Sequence, residues 1–260
     1  MPGEQDFWRD CLYRRPVWLS PGDESTPFPP ADTAMLEPNG LLAIGGSLSP
    51  KRLEQAYRGG IFPWFSEGQE ILWWSPDPRA VLFPAEIHIS RSLRKRVRNG
   101  GFEVAFDLAF EQVIRACAET RQGQAGTWIT EEMIEAYCAL HNRGLAHSVE
   151  VYRDGRLVGG LYGVAMGAAF FGESMFSRMP DASKVALVWL AAQLRSWDYS
   201  LIDCQVPSAH LYGLGACTIP RRDFLRLLQA ALTQPGKQQD IWRFEPELDP
   251  LGMSLSASTL

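Results

Sequence analysis

The sequence predicts an α+β fold in which helices flank a mixed β-sheet. Residues 148–152 and 156–164 have strand-like patterns and flank Asp154-Gly155, a strong hairpin signal. Residues 183–194 are apolar around nearly the whole circumference of a helix, which predicts that this helix is buried. Residues 201–206 form a further strand-like segment after that helix. This order of elements favours a mixed sheet over an all-helical or all-β protein.

The remaining helices are predicted from capping residues and apolar periodicity. Ser49-Pro50 begins a helix that Gly59-Gly60 ends, because serine caps a helix and proline suits its first turn. Thr130, followed by two glutamates, begins another that runs to about residue 141. Basic or amphipathic segments predict three more helices, at residues 90–98, 107–118 and 220–232.

The distribution of proline and aromatic residues predicts two domains. Residues 61–79 are dense in both, which is typical of a domain junction. We therefore expect an N-terminal domain at residues 1–79 and a second domain at residues 80–245. Residues 1–30 are predicted to be an irregular lead-in, and residues 246–260 a disordered tail.

The composition is that of a folded protein without a basic field. The chain has 260 residues, of which 46% are hydrophobic, and its net charge is -5, so any contact with nucleic acid must use a local patch. Its five cysteines show no C-x-x-C spacing, which argues against a zinc site and a disulfide framework. Neither a signal peptide nor a membrane span is predicted, so we expect a cytoplasmic protein.

Asp203 and Gln205 are the first candidate site residues. Because side chains alternate along a strand, both are predicted on the face opposite Ile202 and Cys204. A carboxylate and an amide in a buried strand both need hydrogen-bond partners. Two interpretations stay open. The pair either faces solvent or ties down a loop, or it forms a polar cleft floor where Asp203 accepts a proton and Gln205 orients a reactant. Cys204 is predicted to be a buried core residue rather than a nucleophile.

Glu173, Trp64 and Trp128 are further candidates. Glu173 lies among apolar residues and predicts a partly buried carboxylate, either in a structural ion pair or bound to an amine or guanidinium. Trp64 and Trp128 lie in predicted loops, where they either stack on an unpaired RNA end or pack a domain junction. For Trp73 and Trp74 the packing role is favoured.

Five basic residues fall within eight positions of the predicted helix at residues 90–98: Arg91, Arg94, Lys95, Arg96 and Arg98. In an acidic protein this basic run predicts either a phosphate-binding surface, with salt-sensitive affinity, or a solvated helix face.

Several long motifs follow one another from about residue 35 to residue 228. They include LEPNGLLAIGGSLSP, YRGGIFPWFSEGQEILWWSPDPRAVLFP, GTWIT, VGGLYGVAMG, GESMFSRMPDASKVAL, LIDCQV and HLYGLGA. Together they resemble the leucyl/phenylalanyl-tRNA–protein transferase family. The resemblance implies a small N-terminal domain followed by a GNAT-like acyltransferase domain. It also implies transfer of Leu, Phe or Met from aminoacyl-tRNA to proteins with N-terminal Arg or Lys, which marks them for N-end rule degradation.

The resemblance gives the candidate residues their roles. It implies that Asp203 and Gln205 take part in amide formation. It implies that Glu173 and Trp128 contact the terminal adenosine of the tRNA or the acceptor, and that Trp64 contributes to the site from the domain junction. Six residues are implied to line the amino-acid pocket: Leu161, Phe170, Met175, Leu187, Leu190 and Leu194. The chain departs from residues common in the family at four positions, which affects the shape of the pocket and one polar contact: Leu161, Leu190, Leu194 and Ser208.

The implied reaction sets the chemical requirements. The donor is an activated ester, so we expect no cofactor and no metal. We also expect a monomer without a membrane partner. The attacking α-amino group has a pKa of about 8 and is mostly protonated near neutral pH. Asp203 is therefore expected to hold and deprotonate it, with Gln205 positioning it.

Two other functions stay open. One is an acyltransferase with another donor; a CoA donor is disfavoured because residues 177–184 contain no glycine and carry an acid where backbone amides would bind a pyrophosphate. The other is a non-catalytic RNA-binding module that uses the basic run and the loop tryptophans, against which the polar pair in strand 201–206 argues.

Overall fold

The computed structural model describes residues 14–122, 128–237 and 241–252, in which eleven strands form two sheets. The strands are β1 (Val17–Leu19), β2 (Leu41–Gly45), β3 (Phe62–Pro63), β4 (Leu72–Trp74), β5 (Arg79–Leu82), β6 (Glu103–Phe106), β7 (Ala146–Arg153), β8 (Arg156–Met166), β9 (Ala169–Ser177), β10 (Leu201–Gln205) and β11 (Cys217–Ile219). The helices are α1 (Pro50–Arg58), α2 (Arg91–Asn99), α3 (Phe110–Gln122), α4 (Glu131–His141), α5 (Ala182–Ser196), α6 (Ala209–Tyr212) and α7 (Arg221–Leu232).

The predicted helix starts are confirmed by their caps. The hydroxyls of Ser49, Ser90 and Thr130 each accept a hydrogen bond from a backbone N–H in the first turn of α1, α2 and α4. Helix α3 begins later than predicted, at Phe110 instead of residue 107. The reason is that the preceding N–H groups of residues 108 and 109 donate to the carboxylate of Glu150 on β7, which caps the helix from another element.

The smaller sheet has the strand order β1-β2-β4-β3 and contains one parallel pair, β1 with β2. Trp73 on β4 is fully buried in it and donates from Nε1 to the carbonyl of Gly45, so the packing role predicted for this residue is confirmed. Strand β1 lies within residues 1–30, which were predicted to be irregular. That prediction was wrong for residues 17–19. A three-residue strand is too short to show a periodic pattern.

The larger sheet has the order β11-β5-β10-β9-β8-β7-β6. Strands β9 and β10 run parallel and the other neighbours run antiparallel. Helix α5 packs on one face of β7 to β9, and α3 packs on the other. The predicted α+β fold with a mixed sheet flanked by helices is confirmed.

The parallel strands β9 and β10 separate partway along their length. Their pairing runs from Ala169–Leu201 to Phe171–Asp203 and then ends. Beyond that point β9 continues beside β8 alone, while β10 continues beside β5, where Gln205 pairs with Ala80. The separation opens a gap between β9 and β10 in the larger sheet. The candidate site lies at this gap.

We propose the domain boundary between residues 79 and 80, next to the start of β5. All four strands of the smaller sheet precede it, yet one hydrophobic cluster crosses it, since Tyr57 and Trp73 are buried together with Val81 and Phe171. Residues 1–13 of the predicted lead-in and residues 253–260 of the predicted tail lie outside the described residues.

The part of the predicted tail that is described is packed against the protein. Residues 246–252 contain neither helix nor strand, and Leu251 is 4% exposed in the core beside α5. Across the described ranges, no helix is both long and apolar enough to span a bilayer. The same residues contain no cluster of three His, Cys, Asp or Glu side chains that could hold a metal ion.

Candidate active site

A cavity of about 340 Å³ occupies the gap where β9 and β10 separate. Five of the six residues predicted to line the amino-acid pocket line it: Leu161, Phe170, Met175, Leu187 and Leu190. Leu194 does not. It lies one turn further along α5 than Leu190, is fully buried in the core and is absent from the cavity wall, so its predicted role is corrected. The wall is completed by Ile202 and Cys204.

Asp203 and Gln205 do not share the cavity, although strand alternation predicted one face for both. The cavity lies on the Ile202 and Cys204 side of β10, and Asp203 does not line it. A bulge follows Asp203, and Gln205 adopts φ 57°, a left-handed conformation that non-glycine residues rarely take. The bulge brings Gln205 to the cavity. Its backbone N–H donates to the Asp203 carboxylate across 3.0 Å, which holds it there.

Asp203 forms a buried ion pair with Arg79. Arg79 donates from Nε and Nη2 to the two carboxylate oxygens at 2.8 and 2.7 Å, and both side chains are 0% exposed. The guanidinium lies between the rings of Phe62 and Phe224. A carboxylate sealed in this way does not reach the cavity, and its link to the cavity wall is the hydrogen bond from the N–H of Gln205.

Glu173 is the carboxyl group that lines the cavity. Tyr57 on α1 donates to its Oε1 at 2.7 Å, and Tyr137 on α4 donates to its Oε2 at 2.8 Å. The amide of Gln205 lies 3.5 Å from Oε1. Burial raises the pKa of Glu173 to about 7, while the two tyrosine hydrogen bonds oppose that rise. Glu173 therefore changes its charge near neutral pH.

Two of the predicted aromatic residues lie at the cavity. Trp64 and Trp128 both line it, and Trp64 is 44% exposed. Trp64 is held by Trp74, whose Nε1 donates to the Trp64 carbonyl at 2.7 Å and whose ring lies 5.9 Å from the Trp64 ring. An exposed indole fixed at the mouth of a cavity offers a stacking surface for a flat ring.

The predicted basic run occupies helix α2 and lies outside the cavity. Arg91, Lys95 and Arg98 are exposed and recur at helical spacing, which places them on one face. Arg94 donates to the carbonyl of Leu251, and Arg96 lies 4.0 Å from Asp181. Within the described chain, Arg94 and Arg96 therefore make contacts that Arg91, Lys95 and Arg98 do not make.

A second cavity, of about 180 Å³, lies between the start of α2 and the main cavity. Ser90 and Ser92 line it from α2, and Lys184 lines it from α5. His210 borders both cavities. Burial, together with the charge of Lys184, lowers the pKa of His210. The second cavity thus lies beside the start of α2 and shares His210 with the main cavity.

Sequence reasoning missed three residues that shape the site: Tyr57, Tyr137 and Arg79. The ring of Tyr57 packs in the hydrophobic core, but its hydroxyl reaches Glu173. In the sequence, only Asp203 indicated that a residue such as Arg79 was needed, because a carboxylate in a buried strand requires a charged or donating partner. Cys204 is buried as predicted, and burial raises the pKa of its thiol, which disfavours the nucleophilic thiolate.

An apolar recess beside a carboxyl group and a positioned amide, on a mixed sheet flanked by helices, suits an enzyme of the acyltransferase class. Residues 81–229 match the family described as leucyl/phenylalanyl-tRNA protein transferase, and residues 46–77 match the N-terminal domain of the same family. The chain belongs to the leucyl/phenylalanyl-tRNA–protein transferase family.

Curated relatives carry the same name at high identity. The leucyl/phenylalanyl-tRNA–protein transferase of Alkalilimnicola ehrlichii is 57% identical over 93% of this chain and 93% of its own length. That of Nitrosomonas eutropha is 60% identical over 85% of this chain and 94% of its own length. Among solved structures, a ribosomal-protein-alanine N-acetyltransferase from Brucella melitensis is similar over 43% of this chain and 84% of that chain, with 17% identity and a TM-score of 0.32.

Proposed function

We propose that the protein transfers leucine, phenylalanine or methionine from aminoacyl-tRNA to the N-terminal Arg or Lys of acceptor proteins. The product carries a new N-terminal apolar residue and enters N-end rule degradation. We propose that the protein works as a monomer in the cytoplasm, where its donor is found. The observation that carries the proposal is the apolar cavity with Glu173 and Gln205 at its polar edge.

The cavity wall suits the side chain of the donor. Leu161, Phe170, Leu187 and Leu190 supply an apolar recess without a charged group, and Met175 adds an adaptable side chain. The ester carbonyl then lies toward the polar edge of the recess. Trp64 and Trp128 at the same cavity provide rings on which the terminal adenosine stacks.

The polar edge suits a cationic acceptor. Glu173 in its ionised form attracts an α-ammonium or a guanidinium group. The α-ammonium loses one proton to the Glu173 carboxylate, and the resulting amine attacks the ester carbonyl. A C–N bond forms, the bond from the carbonyl carbon to the ribose oxygen breaks, and the second amine proton goes to that ribose oxygen. Gln205, whose amide lies beside Glu173, orients the amine.

This assignment revises the role expected for Asp203. It is buried and bound at both oxygens by Arg79, so the proton acceptor in the proposal is Glu173. Asp203 is a positioning residue, because its carboxylate accepts the N–H of Gln205 and holds the bulge that turns Gln205 to the cavity.

A transfer assay with defined donors tests the proposed function. With an Arg-initiated peptide, we expect product from leucyl-, phenylalanyl- and methionyl-tRNA. Isoleucyl- and valyl-tRNA are expected to react about 10–100-fold more slowly, because branching at Cβ is bulky and stiff beside the ester. A peptide that begins with Ala serves as the control and should give little product. Equal rates with leucine and isoleucine would count against the recess, and no product with any donor would refute the function.

The basic face of α2 is proposed to bind tRNA phosphates. Reversing the charge at its exposed positions, in the double variant Arg91→Glu and Lys95→Glu, should weaken tRNA binding. It should also reduce the slope of log affinity against log salt by about 0.7–0.9 for each lost phosphate contact. Binding measured across a salt series gives both quantities.

The matched control for this double variant is Arg222→Glu with Arg226→Glu on α7, which reverses two exposed charges elsewhere on the surface. We expect the control to change the salt slope little. If both double variants bind with the same affinity and slope as the unmodified protein, α2 presents only a solvated face.

A further inference from the structure

Two tyrosine hydroxyls and the carboxyl group of Glu173 form a closed ring of contacts beside the cavity. The hydroxyl of Tyr57 contacts Oε1 of Glu173, the hydroxyl of Tyr137 contacts Oε2, and the two hydroxyls contact each other. Both tyrosines are fully buried, and they come from separate helices, α1 and α4. Three oxygen-to-oxygen contacts therefore join three side chains from different parts of the chain.

The number of protons that such a ring needs decides the charge of Glu173. Each of the three contacts is a hydrogen bond only if one proton lies in it. Two phenols and an ionised carboxylate supply two protons. If both phenols donate to the carboxylate, their own contact has none, and two oxygen lone pairs face each other in a buried place. A protonated carboxyl group supplies the third proton and completes the ring in one direction.

We propose that Tyr57, Tyr137 and Glu173 form a three-proton hydrogen-bonded ring in which Glu173 rests as a neutral carboxylic acid, and that the two tyrosines are positioning residues that set when it ionises. When Glu173 is ionised, it accepts from both tyrosines, Tyr57 at Oε1 and Tyr137 at Oε2. In the neutral acid the second of these contacts reverses: Glu173 donates from Oε2 to Tyr137, Tyr137 donates to Tyr57, and Tyr57 still donates to Oε1.

The charged surroundings of the ring are compatible with a neutral resting state. Asp203 raises the pKa of Glu173 and Arg79 lowers it, and these two charges are bound to each other. Tyr162 lies against Tyr137 with ring centroids 5.5 Å apart, and His210 lies elsewhere on the cavity wall with a lowered pKa. Burial is the largest cause of the raised pKa of Glu173, which reaches about 7.

During transfer, the ring stores and releases one proton. This consequence rests on the proposed function. An acceptor ammonium at the cavity favours the ionised carboxylate, so the ring gives one proton to solvent and each tyrosine donates to one carboxylate oxygen. When the ammonium then gives a proton to Glu173, the ring regains its third proton and the amine is free to attack. One proton leaves and one returns, so the site ends the cycle in its resting state.

Infrared spectroscopy of the full-length protein without substrate tests the ring directly. A band from a protonated carboxyl group should disappear as pH rises, with a midpoint near 7, and should be missing in Glu173→Gln. In Tyr57→Phe or Tyr137→Phe the ionised form loses a charge-assisted hydrogen bond, whereas the neutral form loses a weaker bond between neutral groups. The midpoint should therefore rise by about one to two pKa units. Tyr199→Phe removes a buried hydroxyl that the backbone of Lys237 contacts, and should leave the midpoint unchanged.

Absence of the protonated-carboxyl band at pH 6, or a midpoint unmoved in the tyrosine variants, would overturn the ring. The two tyrosine variants are separate tests, so if one does not fold the other decides. Because no substrate is present, a protein with the band but without transfer activity retains the ring and loses the proposed function. A protein with transfer activity but without the band retains the proposed function and loses the ring.

Discussion

Replacing Asp203 by Asn is expected to lower the free energy of unfolding by about 3–5 kcal/mol. The substitution keeps the size of the side chain but removes its charge. The Arg79 guanidinium is then left charged and uncompensated, with both side chains 0% exposed. Urea unfolding followed by circular dichroism gives the free energy, and the midpoint should fall without a large change in the slope.

Two further variants test whether the burial of the ion pair causes this loss of stability. Glu131→Gln breaks an ion pair with Arg115 in which both side chains are well exposed, and should lower the free energy of unfolding far less. The double variant Arg79→Met with Asp203→Leu removes both charges and should recover much of the loss. If Asp203→Asn costs no more than Glu131→Gln, the buried ion pair contributes no more to stability than an exposed one.

Replacing Glu173 by Gln is expected to reduce kcat/KM for transfer to an Arg-initiated peptide by about 100-fold or more. The amide keeps the shape of the carboxyl group but neither attracts the acceptor ammonium nor takes its proton. Transfer is measured with leucyl-tRNA at several pH values, because the size of the effect depends on the charge of Glu173. Since the pKa of Glu173 is raised to about 7, the carboxylate is mostly protonated at pH 6 and mostly ionised at pH 8.

The ratio of wild-type to Glu173→Gln activity should therefore rise by about tenfold between pH 6 and pH 8. The ionisation of the acceptor amine also increases the rate with pH, but it affects both proteins and cancels in the ratio. Glu135→Gln, an exposed change on the same helix as Tyr137, is the control and should give a ratio that does not vary with pH. A constant ratio for Glu173→Gln would exclude this carboxyl group as the proton acceptor.

The main elements of the fold were predictable because their signals are local. Caps at Ser49 and Thr130 marked two helices, a basic segment marked a third, and Asp154-Gly155 marked the hairpin between β7 and β8. Strands of two to five residues in the smaller sheet gave no periodic signal and were missed. Their positions depend on tertiary contacts, such as the burial of Trp73, that no short window of sequence contains.

The site was predictable only in part, for reasons visible at β10. Alternation correctly separated Asp203 from Cys204, but it placed Gln205 with Asp203, because a bulge with a left-handed residue cannot be read from LIDCQV. Leu194 continued the helical spacing of Leu187 and Leu190 beyond the point where the cavity ends. The residues that bind the two carboxyl groups are distant in sequence from them, and only the fold brings them together.

The central claim is that the cavity between β9 and β10 holds the side chain of the transferred amino acid. Filling the cavity by Leu190→Trp, compared with Leu227→Trp on the exposed side of α7, tests this most directly. With both variants shown to be folded and to bind tRNA, we expect Leu190→Trp to reduce leucyl transfer by about 100-fold and Leu227→Trp to leave it unchanged. Undiminished leucyl transfer by folded Leu190→Trp would contradict the claim.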